Sequence, residues 1–167
     1  MHATEEDLMR CLDALGIIHD THRHDPVFTV EEGRHMHQSL PGGHSKNLFL
    51  KDKKGVFLLV VVEAERKVDL KALSRTNALP GGRLSFARAD YVRDMLGVEP
   101  GSVTPFVMMN ETARGVAMIL DKALTDMSPV NFHPLHNAAT MAISPGDLLR
   151  FLDHCGVRPI ILDFDAL

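Results

Sequence analysis

Two histidines three residues apart, His133 and His136, flank Pro134 in the segment SPVNFHPLHNAATMAISP, Ser128 to Pro145. Histidine is the side chain whose proton equilibrium lies nearest neutral pH, so such a pair could hold a metal, move a proton or simply finish a turn. Pro134 lacks a backbone donor and blocks a regular helix, so the two rings do not stack one turn apart on a helical face. Two readings remain. One is a satisfied structural histidine beside a turn, which is what a motif this short favours. The other is a His133 at a strand end that reaches into a cleft as hydrogen-bond donor or general base.

The other chemistry-bearing residues narrow the field. The chain has ten histidines. His22 and His24 could share a strand face, but His35 and His37 on a helix would point about 200° apart. No cysteine pair or His-Glu-x-x-His motif joins them, so solvated histidines are expected rather than a zinc site, and neither metal nor cofactor is expected. No Gly-x-Ser-x-Gly elbow is present, and PGGHSK and LPGGR lack the spacing of a phosphate loop or a dinucleotide fold. Two features remain. Lys46 enters a strand just after the Gly42-Gly43 turn, sharing a face with Leu48 and Leu50 while Asn47 shares the other with Phe49. It could be an edge lysine that discourages strand pairing, or a cation poised over a phosphate or ester. Gly101-Ser102-Val103-Thr104-Pro105 could be a plain turn, or a loop offering backbone groups to a small substrate.

These residues need elements to position them. The length of 167 residues suits one domain with one sizeable core, and 45% hydrophobic with 24% charged residues is ordinary for a globular chain. A net charge of -4 argues against a protein that coats nucleic acid along its length, though it leaves room for a local basic patch. Cys11 and Cys155 are expected to be free core thiols, and with no apolar run long enough to span a bilayer the protein is expected in the cytoplasm, without a membrane partner. Thr4 with Asp7 predicts a capped first helix ending at Gly16, and Thr29 with Glu32 a second from Val30 to about Gln38. The clearest hairpin joins Lys46–Leu50 to Val56–Val62 through Asp52-Lys53-Lys54-Gly55, and its wholly apolar second arm predicts a strand covered on both faces. Further strands are expected at 17–24, 84–86, 115–120, 130–133, 140–143 and 159–163, and helices at 68–78, 90–96 and from Pro145 to Gly156. The fold class is α+β around a mixed sheet.

Four stretches carry a resemblance. PVFTVEEG at 26–33, PGGHSKNLFLKDKKG at 41–55, GVEPGSVTPF at 97–106 and PVNFHPLHNAATMAISPGDLLRFL at 129–152 together resemble the free-standing YbaK/ProX proteins, which are similar to the editing domain inserted in bacterial prolyl-tRNA synthetases. The match runs in order over nearly the whole chain and looks nearest the ProX branch. It departs at Gly43, where alanine is expected, at Ser45, where threonine is common, and at Asp25, where many relatives carry proline.

The resemblance implies a single domain over residues 1–167, with a barrel-like mixed sheet flanked by helices. It implies a trans-editing deacylase that hydrolyses the ester of mischarged tRNA, most simply alanine on tRNA(Pro). The alternative is a non-catalytic nucleic-acid-binding regulator on the same fold. Lys46 and His133 match the family's catalytic lysine and histidine; Asn47 and Gly101, Ser102, Val103, Thr104 and Pro105 match its substrate-binding positions. Pro26, Val27 and Phe28 are expected to wall a size sieve, while Lys51, Lys53 and Lys54 would form a patch for tRNA phosphates. The partners implied are the acceptor end of tRNA(Pro) carrying a wrong amino acid and, as a second candidate, prolyl-tRNA synthetase; monomer and weak dimer both stay open.

Overall fold

Glycine at position 42 decides where the second strand begins. Its φ of +94° is a backbone conformation that side chains other than glycine resist, and a Cβ there would lie 2.3 Å from the Pro129 carbonyl oxygen. That same oxygen accepts the Gly43 N–H at 2.8 Å, so two distant segments meet backbone to backbone at this turn. The computed structural model describes residues 1–27, 29–76 and 82–167.

The elements run in the order α1 (Glu5–Ala14), β1 (His19–Arg23), α2 (Val30–Ser39), β2 (Gly43–Lys51), β3 (Phe57–Glu63), α3 (Leu70–Ser74) and β4 (Ser85–Phe86). Then come α4 (Ala89–Tyr91), which continues into a π-helical turn at Val92–Leu96, and β5 (Ala117–Asp121), α5 (Lys122–Thr125), β6 (Val130–Phe132), β7 (Ala139–Ile143), α6 (Pro145–His154) and β8 (Ile160–Leu162). The predicted caps form as expected. Thr4 and Asp7 make a reciprocal capping box, Thr29 accepts the Glu32 N–H, and Ser144 accepts the Asp147 N–H. The helix expected from residue 68 begins at Leu70, because the Asp69 carboxylate caps it by accepting from Lys71 and Ala72; residues 77 and 78 of that expectation lie outside the described residues. The helix expected over 90–96 is split, its second half π-helical and closed by Gly97 at φ +73°.

Among the described residues eight strands form one mixed sheet in the order β1-β7-β6-β2-β3-β5-β8, with β4 beside β2. β3 pairs antiparallel with β2 and parallel with β5, and Leu58 to Val62 are all fully buried. The apolar second arm of the hairpin is therefore a strand covered on both faces. Phe49, Leu59 and Val61 face a core built with Leu8 and Leu12 of α1, Phe106, Phe132, and Phe151 and Leu152 of α6. Leu50, Leu58, Val60 and Val62 face a second cluster closed by Leu73, Leu84, Ile119 and Phe164.

Strand β2 is shared between two partners on its other side. Its start pairs in parallel with β6, Gly43 with Val130 and His44 with Asn131, while its end pairs with β4, Leu50 with Phe86 and Lys51 with Ser85. Among the described residues no strand pairs with Ser45 to Phe49 on that side, so β2 and β6 diverge and leave a cleft. Substituting Gly42→Ala should drive a Cβ into the Pro129 carbonyl and force an unfavourable φ, at a cost of about 2–4 kcal/mol. Thermal denaturation should then show a Tm roughly 5–15 °C lower; an unchanged Tm would mean that the close approach is not needed.

Candidate functional site

The cleft where β2 leaves β6 holds about 460 Å³ of empty space and is roofed by α2. Its lining includes Val27, Gly33, Met36 and His37 from the α2 side, His44, Ser45 and Asn47 from β2, Asn131, Phe132 and His133 from β6 and the turn after it, and His24 and Thr140. Among the described residues no carboxylate lines it. Gly33, Met36 and His37 share one helix face through their spacing of three and four, and Val27 packs beside Gly33, its Cγ1 an ordinary contact distance of 3.7 Å from where a Cβ would stand.

Asn131 fixes the mouth. It is 6% exposed, and its amide donates to the Pro41 carbonyl at 3.0 Å and the Gly43 carbonyl at 2.8 Å. The Ser45 hydroxyl donates to the Asn131 carbonyl at 3.1 Å and accepts from the Asn47 amide at 3.4 Å. That leaves Asn47 Oδ1 buried without a hydrogen-bond partner among the described residues, an acceptor open to an incoming donor.

The histidines are oriented by fixed partners. His133 Nδ1 faces the Ala139 carbonyl at 3.3 Å; a carbonyl only accepts, so the proton sits on Nδ1 and Nε2 keeps its lone pair. Burial lowers the His133 pKa, the Ala139 hydrogen bond works against that, and the charges of His24 and His136 lower it further. His24 donates from Nδ1 to the Asp25 carbonyl at 2.8 Å and faces the Thr140 hydroxyl at 2.9 Å with Nε2. His37 stacks on His44 with ring centroids 4.2 Å apart, and burial followed by the His44 charge brings its pKa down to about 4.

The turn that follows His133 is held from outside the cleft. His136 Nε2 donates to Glu5 Oε1 at 2.9 Å, its Nδ1 accepts the Ala138 N–H at 3.1 Å, and Arg23 makes a forked pair with the same carboxylate at 3.0 and 2.7 Å. Arg23 first, and then His136, hold the Glu5 carboxyl below its usual value against the opposing effect of burial. This staple steadies a turn in which Leu135 has a φ of +72°.

The candidate residues from the sequence separate into groups. Val27, Asn47 and His133 meet in the cleft. Lys46 is half-buried and does not line it; its register partner is Val62, so it emerges on the face of Leu48 and Leu50, opposite Asn47, at the uncovered edge of β2. Gly101 is exposed beside Asn137, while Ser102, Val103, Thr104 and Pro105 are buried behind it and Thr104 caps the short 3-10 helix Pro105–Met109. Pro26 lies on an outer groove with Asp25 and His35. Phe28 lies outside the described residues. Lys51, Lys53 and Lys54 occupy the far end of the β2–β3 hairpin. Both cysteines are free, and burial pushes the Cys155 thiol up to about 12, which removes it as a nucleophile. Among the described residues no group of three or more metal-ligating side chains is assembled, and no helix is long and apolar enough to cross a membrane.

Sequence reasoning missed Asn131, Thr140, His37 and His44. Asn131 could have been found as the polar residue inside Val130–Phe132, and His37 by its helical spacing from Gly33.

The family described as aminoacyl-tRNA editing domain matches residues 24–151. A zebrafish (Danio rerio) relative, prolyl-tRNA synthetase associated domain-containing protein 1, is 41% identical over 162 residues, covering 96% of this chain and 87% of its own length. Prolyl-tRNA editing protein ProX of Acetoanaerobium sticklandii is 38% identical over 142 residues, covering 84% and 85%. A solved structure described as a candidate trans-editing enzyme for prolyl tRNA synthetase superposes with a TM-score of 0.68 over 98% of both chains; at 21% identity that likeness speaks for the fold alone.

Acid should loosen this site before the rest of the molecule. An unfolded histidine titrates near 6.5 and folded His37 near 4, so between those values the unfolded chain binds more protons and stability falls as pH falls. For a half-exposed ring this amounts to roughly 1–2 kcal/mol after solvent screening. Urea unfolding from pH 7 to 4 should show that loss, and His37→Gln should flatten it; equal slopes in both proteins would remove His37 as its source.

Proposed function

Because the chain belongs to the aminoacyl-tRNA editing domain family, we propose that it is a trans-editing deacylase that hydrolyses the ester of mischarged proline tRNA, with alanine as the amino acid removed. The observation that carries this reading is the convergence of Val27, Asn47 and an oriented, acceptor-bearing His133 on one cleft.

The chemistry asked of the chain is modest. A synthetase pocket built for proline rejects a smaller side chain by only about 1–3 kcal/mol, so a second, smaller pocket that admits alanine and excludes proline by bulk restores accuracy. The aminoacyl ester is already activated, and the terminal 2′-hydroxyl can help to position water. In this reading Val27 and Met36 bound the side-chain end of the cleft, with Pro26 beside Val27 on its outer side. Asn47 Oδ1 accepts from the substrate's ammonium or hydroxyl, and His133 Nε2 accepts a proton from water or the 2′-hydroxyl. Lys46 approaches from the uncovered edge of β2 to hold the terminal nucleotide, and the backbone of Gly101 to Pro105 bounds the side nearest Asn137. Lys51, Lys53 and Lys54 take phosphates upstream of the terminal nucleotide. The protein would act in the cytoplasm, where charged tRNA is used.

Purified protein incubated with tRNA(Pro) charged with alanine, serine, cysteine or proline should release alanine fastest and spare proline. Loss of none of these esters, with the tRNA intact, would overturn the deacylase reading.

His133→Ala should slow turnover roughly 10²- to 10⁴-fold. Because burial lowers the His133 pKa, the wild-type rate should rise with pH through a midpoint below the ordinary histidine value of about 6.5. That limb should vanish in the variant, whereas a slower rate that keeps it would make His133 a shaping residue. Lys46→Ala should likewise lose most turnover, and wild-type rates there would take Lys46 out of the reaction.

A further inference from the structure

At the far end of β2 two cations converge on one aromatic ring. Lys51 Nζ lies 5.2 Å from the centroid of Tyr91 and 5.6 Å from that of Phe57, and the Arg88 guanidinium carbon lies 4.9 Å from Tyr91. The two charges are therefore within roughly 10 Å of each other, each steadied by a ring face. Phe49, Phe57 and Tyr91 form a continuous run, with centroids 5.4 and 5.0 Å apart, from the core out to this cluster. Among the described residues Arg88 has one carboxylate partner, the exposed Asp90 at 3.3 Å, an ion pair of the kind that solvent weakens. Among the described residues no ion pair engages Lys51. Residues 51–54 and 83–90 hold five cations (Lys51, Lys53, Lys54, Arg83 and Arg88) against Asp52 and Asp90, in a chain whose net charge is -4. Asp52 is 4% exposed and spends one carboxylate oxygen on the N–H groups of Lys54 and Val56, so its charge faces the turn rather than the surface.

The position of the cluster matters as much as its charge. Lys51 shares a strand face with Phe49 and Asn47, and four residues of strand separate it from Asn47 by about 13 Å. A polyanion whose end lies in the cleft meets this pair next along β2. A cation held on an aromatic ring is pre-oriented, so less side-chain freedom is lost on binding than at a free lysine.

We propose that Lys51 and Arg88, held on Tyr91, form a docking site for the RNA backbone just upstream of the esterified 3′ end, with Asp90 giving way to a phosphate. This rests on the deacylase reading for the identity of its RNA but is tested without hydrolysis. The site is specific for backbone charge, not base identity.

The probe is an uncharged, fluorescein-labelled hairpin RNA with a four-nucleotide single-stranded 3′ end, with anisotropy followed from 50 to 200 mM salt. Wild-type protein should bind with a salt-dependent Kd. Lys51→Gln and Arg88→Gln should each weaken binding about 3- to 10-fold and reduce the salt slope by about 0.7–0.9. Arg158→Gln, just before β8 and three strands across the sheet from β2, should bind as wild type. Hydrolysis of alanyl-adenosine, which has no upstream phosphate, should be unchanged in Arg88→Gln. Wild-type Kd and slope in the two variants, no RNA binding by the wild type, or an equal loss on alanyl-adenosine would overturn the docking site. If RNA binding depends on Lys51 and Arg88 while no ester is hydrolysed by any form, the docking site stands and the deacylase reading falls.

Discussion

One buried amide holds the cleft open. Asn131 donates to the carbonyls on both sides of Gly42, and if it were replaced by an apolar residue those two acceptors would lose their donors at a cost of about 1–3 kcal/mol each. Its own backbone carbonyl receives the Ser45 hydroxyl, which in turn meets Asn47. The Gly43 N–H bonded to Pro129 supplies the opposing tie, so β2 and β6 touch over two register positions and then part. The cavity is the consequence of that brief pairing. A longer ladder would have zipped it shut.

The walls of the cleft then follow from packing on either side. β3 is buried on both faces and anchors β2, so the edge of β2 that lacks a neighbour stays in place without one. The turn carrying His133 is fixed by the Glu5 carboxylate, reached from α1 and shared by Arg23 and His136. His136, three residues after His133, thus serves the turn through its bonds to Glu5 and the Ala138 N–H. Burial and neighbouring histidines lower the pKa of both His133 and His37, against the Ala139 hydrogen bond at the first and the Glu65 carboxylate at the second, as the proposed deacylation would need.

Much of this was legible in the residues because local rules and the tertiary structure agree. Thr4 with Asp7, Thr29 with Glu32 and Ser144 with Asp147 marked helix starts through side-chain acceptors, and the unbroken run Leu58 to Val62 announced a doubly covered strand. The four segments that resemble YbaK/ProX proteins carried the family, which the match over residues 24–151 establishes. What stayed hidden depends on where strands separate. No spacing rule states that β2 loses its neighbour after His44, so neither the cleft nor its lining by Asn131 and Thr140 could be read in advance. The unexpected Gly43 has a local cause: a Cβ there would stand 2.5 Å from Met127 Sδ, so the methionine fills the space that an alanine would need. Alternation along β2 had already placed Lys46 and Asn47 on opposite faces, and the register keeps them there.

The central claim is that the aminoacyl end of the substrate enters the cleft between α2, β2 and β6. The direct measurement is a two-dimensional NMR titration with 3′-alanylamino-3′-deoxyadenosine, whose amide resists hydrolysis. The account predicts saturable shifts at Val27, Gly33, Asn47, His133 and Thr140, with the groove around Arg114, His154 and Arg158 unmoved. Shifts confined to that second groove, or none at saturating ligand, would contradict it.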